Sequence, residues 1–201
     1  MERVILPKNF FGEVSRETYV SVRSAINLVG DKALSLAQGR DPESPTDKLI
    51  NCSNERAKKI GSEMAELLRE DALSLMGATE GLVGEGADLI YALMPMAAAR
   101  GRDLGEFIDL FWQTLLKDET LQELLDRGAL DRSCREGYLA LSVAKLVVAD
   151  SLKPFDDNAF DSALGGVMVA TNMFMLGNGL TMAPVLDELA ERNRLLTAVS
   201  R

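Results

Sequence analysis

Two acidic pairs, Glu63 with Glu66 and Glu85 with Asp88, each stand at i, i+3 spacing in stretches with helical patterning. Residues three apart share a helical face, so each pair sets two carboxylates side by side. If the two helices pack antiparallel, all four converge in one cleft. Four anions there repel one another and lose hydration unless cations join them. Carboxylate oxygens suit Mg²⁺ or Mn²⁺, and such ions suit phosphate chemistry. The pattern therefore points to a metal-dependent enzyme acting on a nucleotide, with Glu63, Glu66, Glu85 and Asp88 as metal ligands. Glu63 is the candidate to orient a metal-bound water or take its proton. The chain contains no histidine, which excludes Ser-His-Asp and Cys-His catalysis and histidine–zinc sites. An isolated Glu-x-x-Glu is commonplace on a solvated helix face, so the flanking sequence has to decide.

The elements that must position these residues read as helices throughout. Leu, Ala, Met, Glu and Arg are plentiful, long β-branched runs are absent, and no stretch alternates at period two for long enough to form a strand. Ser15 is placed to cap a helix over 16–37, and the segment 39–46, with prolines at 42 and 45, reads as a loop. Further helices are predicted over 54–76 and 82–100. Asp103 and Glu106 then form a capping box for a helix reaching 116. Shorter helical patterns follow at 118–127, 132–150, 158–176 and 183–198. The reading is a single all-α domain over 1–201. Within it, 1–43 is an N-terminal helical segment, 44–116 the metal-binding core, and 117–201 a helical extension.

A formal charge of −9 argues against a nucleic-acid backbone as partner, though not against a nucleotide held through metal ions. Cys52 and Cys134 lack metal-ligand or redox spacing and read as reduced thiols. The opening residues carry no secretory signal. Residues 163–180 are uncharged, near the lower limit for a membrane span, but Asn172, Gly177, Asn178 and Gly179 interrupt them. A buried helix of a cytoplasmic protein is expected instead, with no membrane partner.

The segment from Lys58 to Glu66 (KKIGSEMAE) resembles the first motif of phosphoribosyl-ATP pyrophosphatases, and Glu85 to Tyr91 (EGADLIY) resembles their second. Ala97 to Leu104 (AAARGRDL) is similar to their next turn, and Ser44 to Leu49 (SPTDKL) to an upstream loop. The wider group is the all-α nucleoside triphosphate pyrophosphohydrolases, which includes MazG-type enzymes and dimeric dUTPases. The resemblance covers about residues 44–116. It implies a helical bundle, Mg²⁺-dependent α–β phosphoanhydride cleavage releasing pyrophosphate, and dimers or tetramers that share helices between subunits. The chain departs from the family pattern at Ser62, where an acidic residue is usual, at Ala92, where histidine is frequent, and in the long segment after 116.

Around the acidic pairs, Lys59 stands four residues before Glu63, within reach of either that carboxylate or a phosphate, and Lys58 adjoins it. Tyr91 lies one turn beyond Asp88 and could meet substrate or simply pack. Asn172, in a very apolar helix, needs a partner if buried, whether a base, a sugar or another helix. Phe111 and Trp112 read as packing residues. A weak internal repeat is also visible at an offset of 78 residues. Gly101 then falls on Gly179, and Glu85 and Asp88 fall on Ala163 and Gly166. If real, the second half is a copy without metal ligands, standing where a symmetric relative would use another subunit.

The expected activity is hydrolysis of a (deoxy)nucleoside triphosphate, such as dGTP or dUTP, to the monophosphate and pyrophosphate. The alternatives are phosphoribosyl-ATP pyrophosphatase activity and a non-catalytic helical module that binds a nucleotide or a protein.

Overall fold

In the computed structural model, residues 14–75, 80–105 and 132–199 are described, and they form seven helices and no strand. These are α1 (Arg16–Ala37), α2 (Pro45–Asn51), α3 (Ser53–Ser74), α4 (Glu80–Ala99), α5 (Arg132–Ser151), α6 (Asp157–Gly177) and α7 (Met182–Val199). The all-α expectation is met. The helices expected through 116 and over 118–127, with Glu106, Phe111 and Trp112, lie outside the described residues.

Each start has a local cause. Ser15 accepts from the Thr18 N–H and opens α1. Asp156 does the same for α6 through Ala159. Within the segment read as loop, Pro45 and Thr46 open a short helix, α2. Its capping box is complete, with Ser44 Oγ accepting from Asp47 N–H and Asp47 accepting from Ser44 N–H. Proline at the first helical position fits because that N–H has no intrahelical partner. Asp47 is 1% exposed and also takes a two-pronged bond from Arg40, at 3.0 and 3.1 Å. The Arg40 bond chiefly, with the Glu43 and Ser44 N–H groups, holds its carboxyl far below the ordinary 3.8. A depressed carboxylate stabilises the fold above its unfolded pKa and loses that contribution as pH falls. Asp47→Asn is expected to lose about 2 kcal/mol at pH 7. The gap to wild type should begin to narrow only as pH drops below about 4 and should go on closing with further acidification, as read by urea unfolding across pH.

The helices α3 and α4, joined by a short link, form one antiparallel hairpin, and α5 and α6 form a second packed against it. Helices α1 and α7 pack together and cover α4. The α4 and α6 helices make the core. Leu82, Leu89, Leu93 and Met96 of α4 are fully buried, as are Phe160, Leu164, Val167 and Phe174 of α6. Both are long and apolar enough to cross a membrane, yet 61% and 72% of their apolar windows are buried inside the fold, as core helices require.

The two hairpins brace one another through two buried aspartates. Asp150 of α5 receives Arg56 from the first turn of α3, at 2.9 and 3.0 Å, and Arg100 from just beyond α4, at 2.7 Å. Asp71 of α3 receives Arg132 from the first turn of α5, at 2.7 Å, and Asn178 from just beyond α6, at 2.6 Å. Arg100 and Asn178 each precede a glycine with positive φ, Gly101 at 66° and Gly179 at 72°. Both helix ends close with the same hydrogen bonds, Arg102 N–H to Ala97 O and Leu180 N–H to Met175 O.

Candidate metal centre

Glu63 and Glu66 project from α3 and Glu85 from α4, and one carboxylate oxygen of each lies within 4.8 Å of the others. The hairpin brings the two motifs face to face, so the cluster follows from the antiparallel packing of α3 on α4. Glu63 is buried at 3% exposure, and its Oε1 accepts from Lys59 Nζ one turn earlier. Glu66 Oε1 accepts from Ser62 Oγ at 3.1 Å. Thus Ser62, where the family pattern favours an acid, holds the carboxylate of a candidate ligand on its own helix.

Glu85 is the informative member. Its Oε2 is buried and has no hydrogen-bond donor among the described residues. Burial foremost, then the charges of Glu66, Asp88, Glu63 and Glu70, pushes its carboxyl above the ordinary value. A buried oxygen without a donor, among three close carboxylates, is the chemistry that a hard divalent cation satisfies. The residues present fit such an ion.

Asp88 takes a different position from its three companions. It lies close enough to act on Glu85 and on the Lys59 ammonium. Its Oδ1, however, is held by Arg192 Nη1 from α7, and it is not part of the three-carboxylate cluster. Arg192 was not legible as a site residue: in the sequence it only forms an ordinary i, i+4 pair with Glu188, and that bond is present at 2.7 Å. Lys59 loses affinity for its proton through burial, but the Glu63 bond and the charges of Glu63, Asp88 and Glu66 outweigh this and raise its pKa, so it is a cation at neutral pH.

The remaining candidates separate clearly. Lys58 is exposed and paired with Glu55 at 2.8 Å. Tyr91 lies one turn past Asp88, and its hydroxyl stands 3.5 Å from Thr46 Oγ1, tying α4 to the start of α2. Asn172 is 1% exposed in α6, and neither its Oδ1 nor its Nδ2 has a hydrogen-bond partner among the described residues. No hydrogen bond links it to the carboxylates. Cys52 and Cys134 are free thiols. A cavity of about 730 Å³ lies by the C-terminal end of α4 against α1 and is lined by none of the three carboxylates. The cluster, with its charge and its orphaned oxygen, is the better candidate for chemistry.

A family model described as phosphoribosyl-ATP pyrophosphohydrolase matches residues 31–113, the span that contains all four acidic residues. The phosphoribosyl-ATP pyrophosphatase of Erythrobacter litoralis is 32% identical over 80 residues, covering 39% of this chain and 74% of that relative. The chain belongs to the phosphoribosyl-ATP pyrophosphohydrolase family. The membership makes it a hydrolase of the nucleotide pyrophosphatase kind, and the acidic hairpin lies within the matched span. No solved structure matches the chain. Helices α5 to α7, including Arg192, lie wholly outside the matched span.

Proposed function

We propose that the chain is a Mg²⁺- or Mn²⁺-dependent pyrophosphohydrolase that cleaves the α–β phosphoanhydride of phosphoribosyl-ATP. The observation that carries the reaction is the cluster of Glu63, Glu66 and Glu85, with its one buried, donorless oxygen. The family match and the name of the relative support the substrate. A (deoxy)nucleoside triphosphate such as dGTP or dUTP is the second reading, favoured by the departures at Ser62 and Ala92. This protein is taken to work in the cytoplasm.

Glu63, Glu66 and Glu85 would hold the ion, with Asp88 joining if it leaves Arg192. A divalent ion there would neutralise phosphate charge and lower the pKa of a nearby water. Glu63, whose Oε1 accepts from Lys59, would orient the attacking water and take its proton. The water oxygen bonds to the α-phosphorus, and the bridging oxygen leaves with pyrophosphate. Lys59, half-buried and cationic, is placed to meet phosphate as Glu63 turns to its task.

The C-terminal hairpin is read as a silent copy of the catalytic one. Fully buried Leu89 and Met96 of α4 correspond to Val167 and Phe174 of α6 at the offset that joins Gly101 to Gly179. One residue further along, Ile60, Leu67 and Asp71 of α3 correspond to Leu139, Leu146 and Asp150 of α5, all buried. In this register Glu63 and Glu66 fall on Ser142 and Lys145, and Glu85 and Asp88 on Ala163 and Gly166, so the copy offers no carboxylate.

The test is incubation with Mg²⁺ and a panel of phosphoribosyl-ATP, dNTPs and NTPs, with products resolved and Mn²⁺ stoichiometry titrated in parallel. Pyrophosphate with the monophosphate product from phosphoribosyl-ATP, and a single carboxylate cluster per chain, are expected. Turnover of dNTPs alone transfers the substrate to the second reading. Orthophosphate as product, or no turnover across the panel, overturns the proposal, and the latter outcome returns the chain to a binding module.

A further inference from the structure

Two cations adjoin the acidic residues, Lys59 on α3 at Glu63 and Arg192 on α7 at Asp88, and only the first belongs to the family's matched span. Arg192 is held tightly in place. Its Nε donates to Glu188 Oε1 at 2.7 Å and its Nη1 to Asp88 Oδ1. A Cβ added at Gly84, the residue before Glu85, would stand 3.2 Å from its Nη2, so the guanidinium lies against the turn of α4 that carries the buried ligand. Beside it is a cavity of about 180 Å³ lined by Ala25, Asp88, Tyr91, Leu189, Arg192 and Asn193. A cation thus faces a carboxylate expected to bind metal, at the edge of open space, on a helix that the catalytic core does not include.

A phosphate chain carries more negative charge than the ions alone neutralise, and a planar guanidinium offers it a two-pronged fork that an ammonium cannot. Asp88 has two competing partners, Arg192 and an ion at the cluster, and engaging one frees the other. We propose that Arg192 is a substrate-binding residue supplied by the C-terminal half. It neutralises Asp88 before the ion binds, and it receives the terminal phosphates of the nucleotide once Asp88 has turned to the ion. The inference rests on the reading of the cluster as a metal-dependent phosphoanhydride site, and it extends that site to a residue 104 positions from Asp88.

Its test needs no turnover. Calorimetry on the full chain measures Mn²⁺ alone, and then inorganic tripolyphosphate with Mn²⁺ present, for wild type, Arg192→Gln and Arg192→Lys. In Arg192→Gln, Mn²⁺ should bind as well as in wild type or several-fold more tightly, because Asp88 is released. Tripolyphosphate should bind at least about tenfold more weakly. Arg192→Lys keeps the charge and loses the fork, and about a threefold to tenfold loss is expected. It decides the matter should the glutamine variant fail to fold. A merely structural brace would lower the melting temperature and leave tripolyphosphate affinity unchanged in the folded variants. That result overturns the proposal, as does a wild type that binds no tripolyphosphate. A wild type that binds tripolyphosphate through Arg192 but releases no pyrophosphate from any nucleotide would contradict the hydrolase reading alone.

Discussion

Glu85→Gln is expected to abolish hydrolysis while raising the melting temperature of the metal-free protein. The two effects have one cause. Without an ion, Glu85 presents a buried carboxylate oxygen with no donor among the described residues, within reach of the charges of Glu66, Asp88, Glu63 and Glu70. Such a charge opposes folding through desolvation and like-charge repulsion. An amide of the same shape removes the charge and adds two donors for the neighbouring carboxylates. The gain should be about 1 kcal/mol, or about 2–4 °C for a chain of this size. With Mn²⁺ the order reverses. Wild type gains stability by mass action, about 2.7 kcal/mol when the ion is a hundred times above its Kd, and the variant gains little. Turnover should fall at least about a hundredfold, since the ion loses one of its charged ligands. Melts in chelator and in Mn²⁺, together with pyrophosphate release, check all three. A variant that melts lower than wild type in chelator, or hydrolyses at the wild-type rate, would remove Glu85 from the site.

Asp150→Asn should be the most destabilising single-atom-scale change in the molecule. Asp150 is 2% exposed and accepts from two guanidiniums, Arg56 and Arg100. Arg56 is itself 5% exposed, and its remaining donors reach the Leu49 and Ile50 carbonyls at 3.0 and 2.6 Å. Arg100 also lies over the Phe155 ring, 4.4 Å from its centre. The cluster is fully satisfied as it stands. Asparagine keeps the shape but leaves the buried Arg56 and the part-buried Arg100 without a counter-charge, which costs about 3 kcal/mol. That corresponds to a fall of about 10 °C in Tm by calorimetry. Because these bonds join the α3–α4 hairpin to the α5–α6 hairpin, the same variant should loosen their contact without touching the acidic cluster. A shift under about 2 °C would mean that the aspartate is not the brace its bonds describe.

The sequence was most legible where information is local. Ser15 as a cap, the helical runs that became α1, α3 to α7, and the i, i+3 acidic pairs all depend on residues within a turn or two of each other. The helix α2 was hidden because prolines 42 and 45 read as loop, although Pro45 in fact sits at a first helical position, where it is tolerated. Asp71 and Asp150 gave no signal at all: an aspartate near the end of an apolar helix looks solvated until its partners from other helices are known. The proposed repeat illustrates the same limit. In the sequence it rested on one glycine and similar hydropathy. The folded chain adds matched buried positions and reciprocal aspartate braces, which only appear once the hairpins are placed against each other.

What the sequence determined by itself was the class of the fold and the placing of the acidic motifs. Those follow from spacing along single helices and from donor chemistry. Which carboxylates truly converge was decided by tertiary structure. Glu63, Glu66 and Glu85 gather because α3 packs on α4, whereas Asp88, on the same face by spacing, is claimed by Arg192 from the last helix. That contact spans 104 residues of chain, and its formation depends on how α7 packs on α4 rather than on any pattern near either residue.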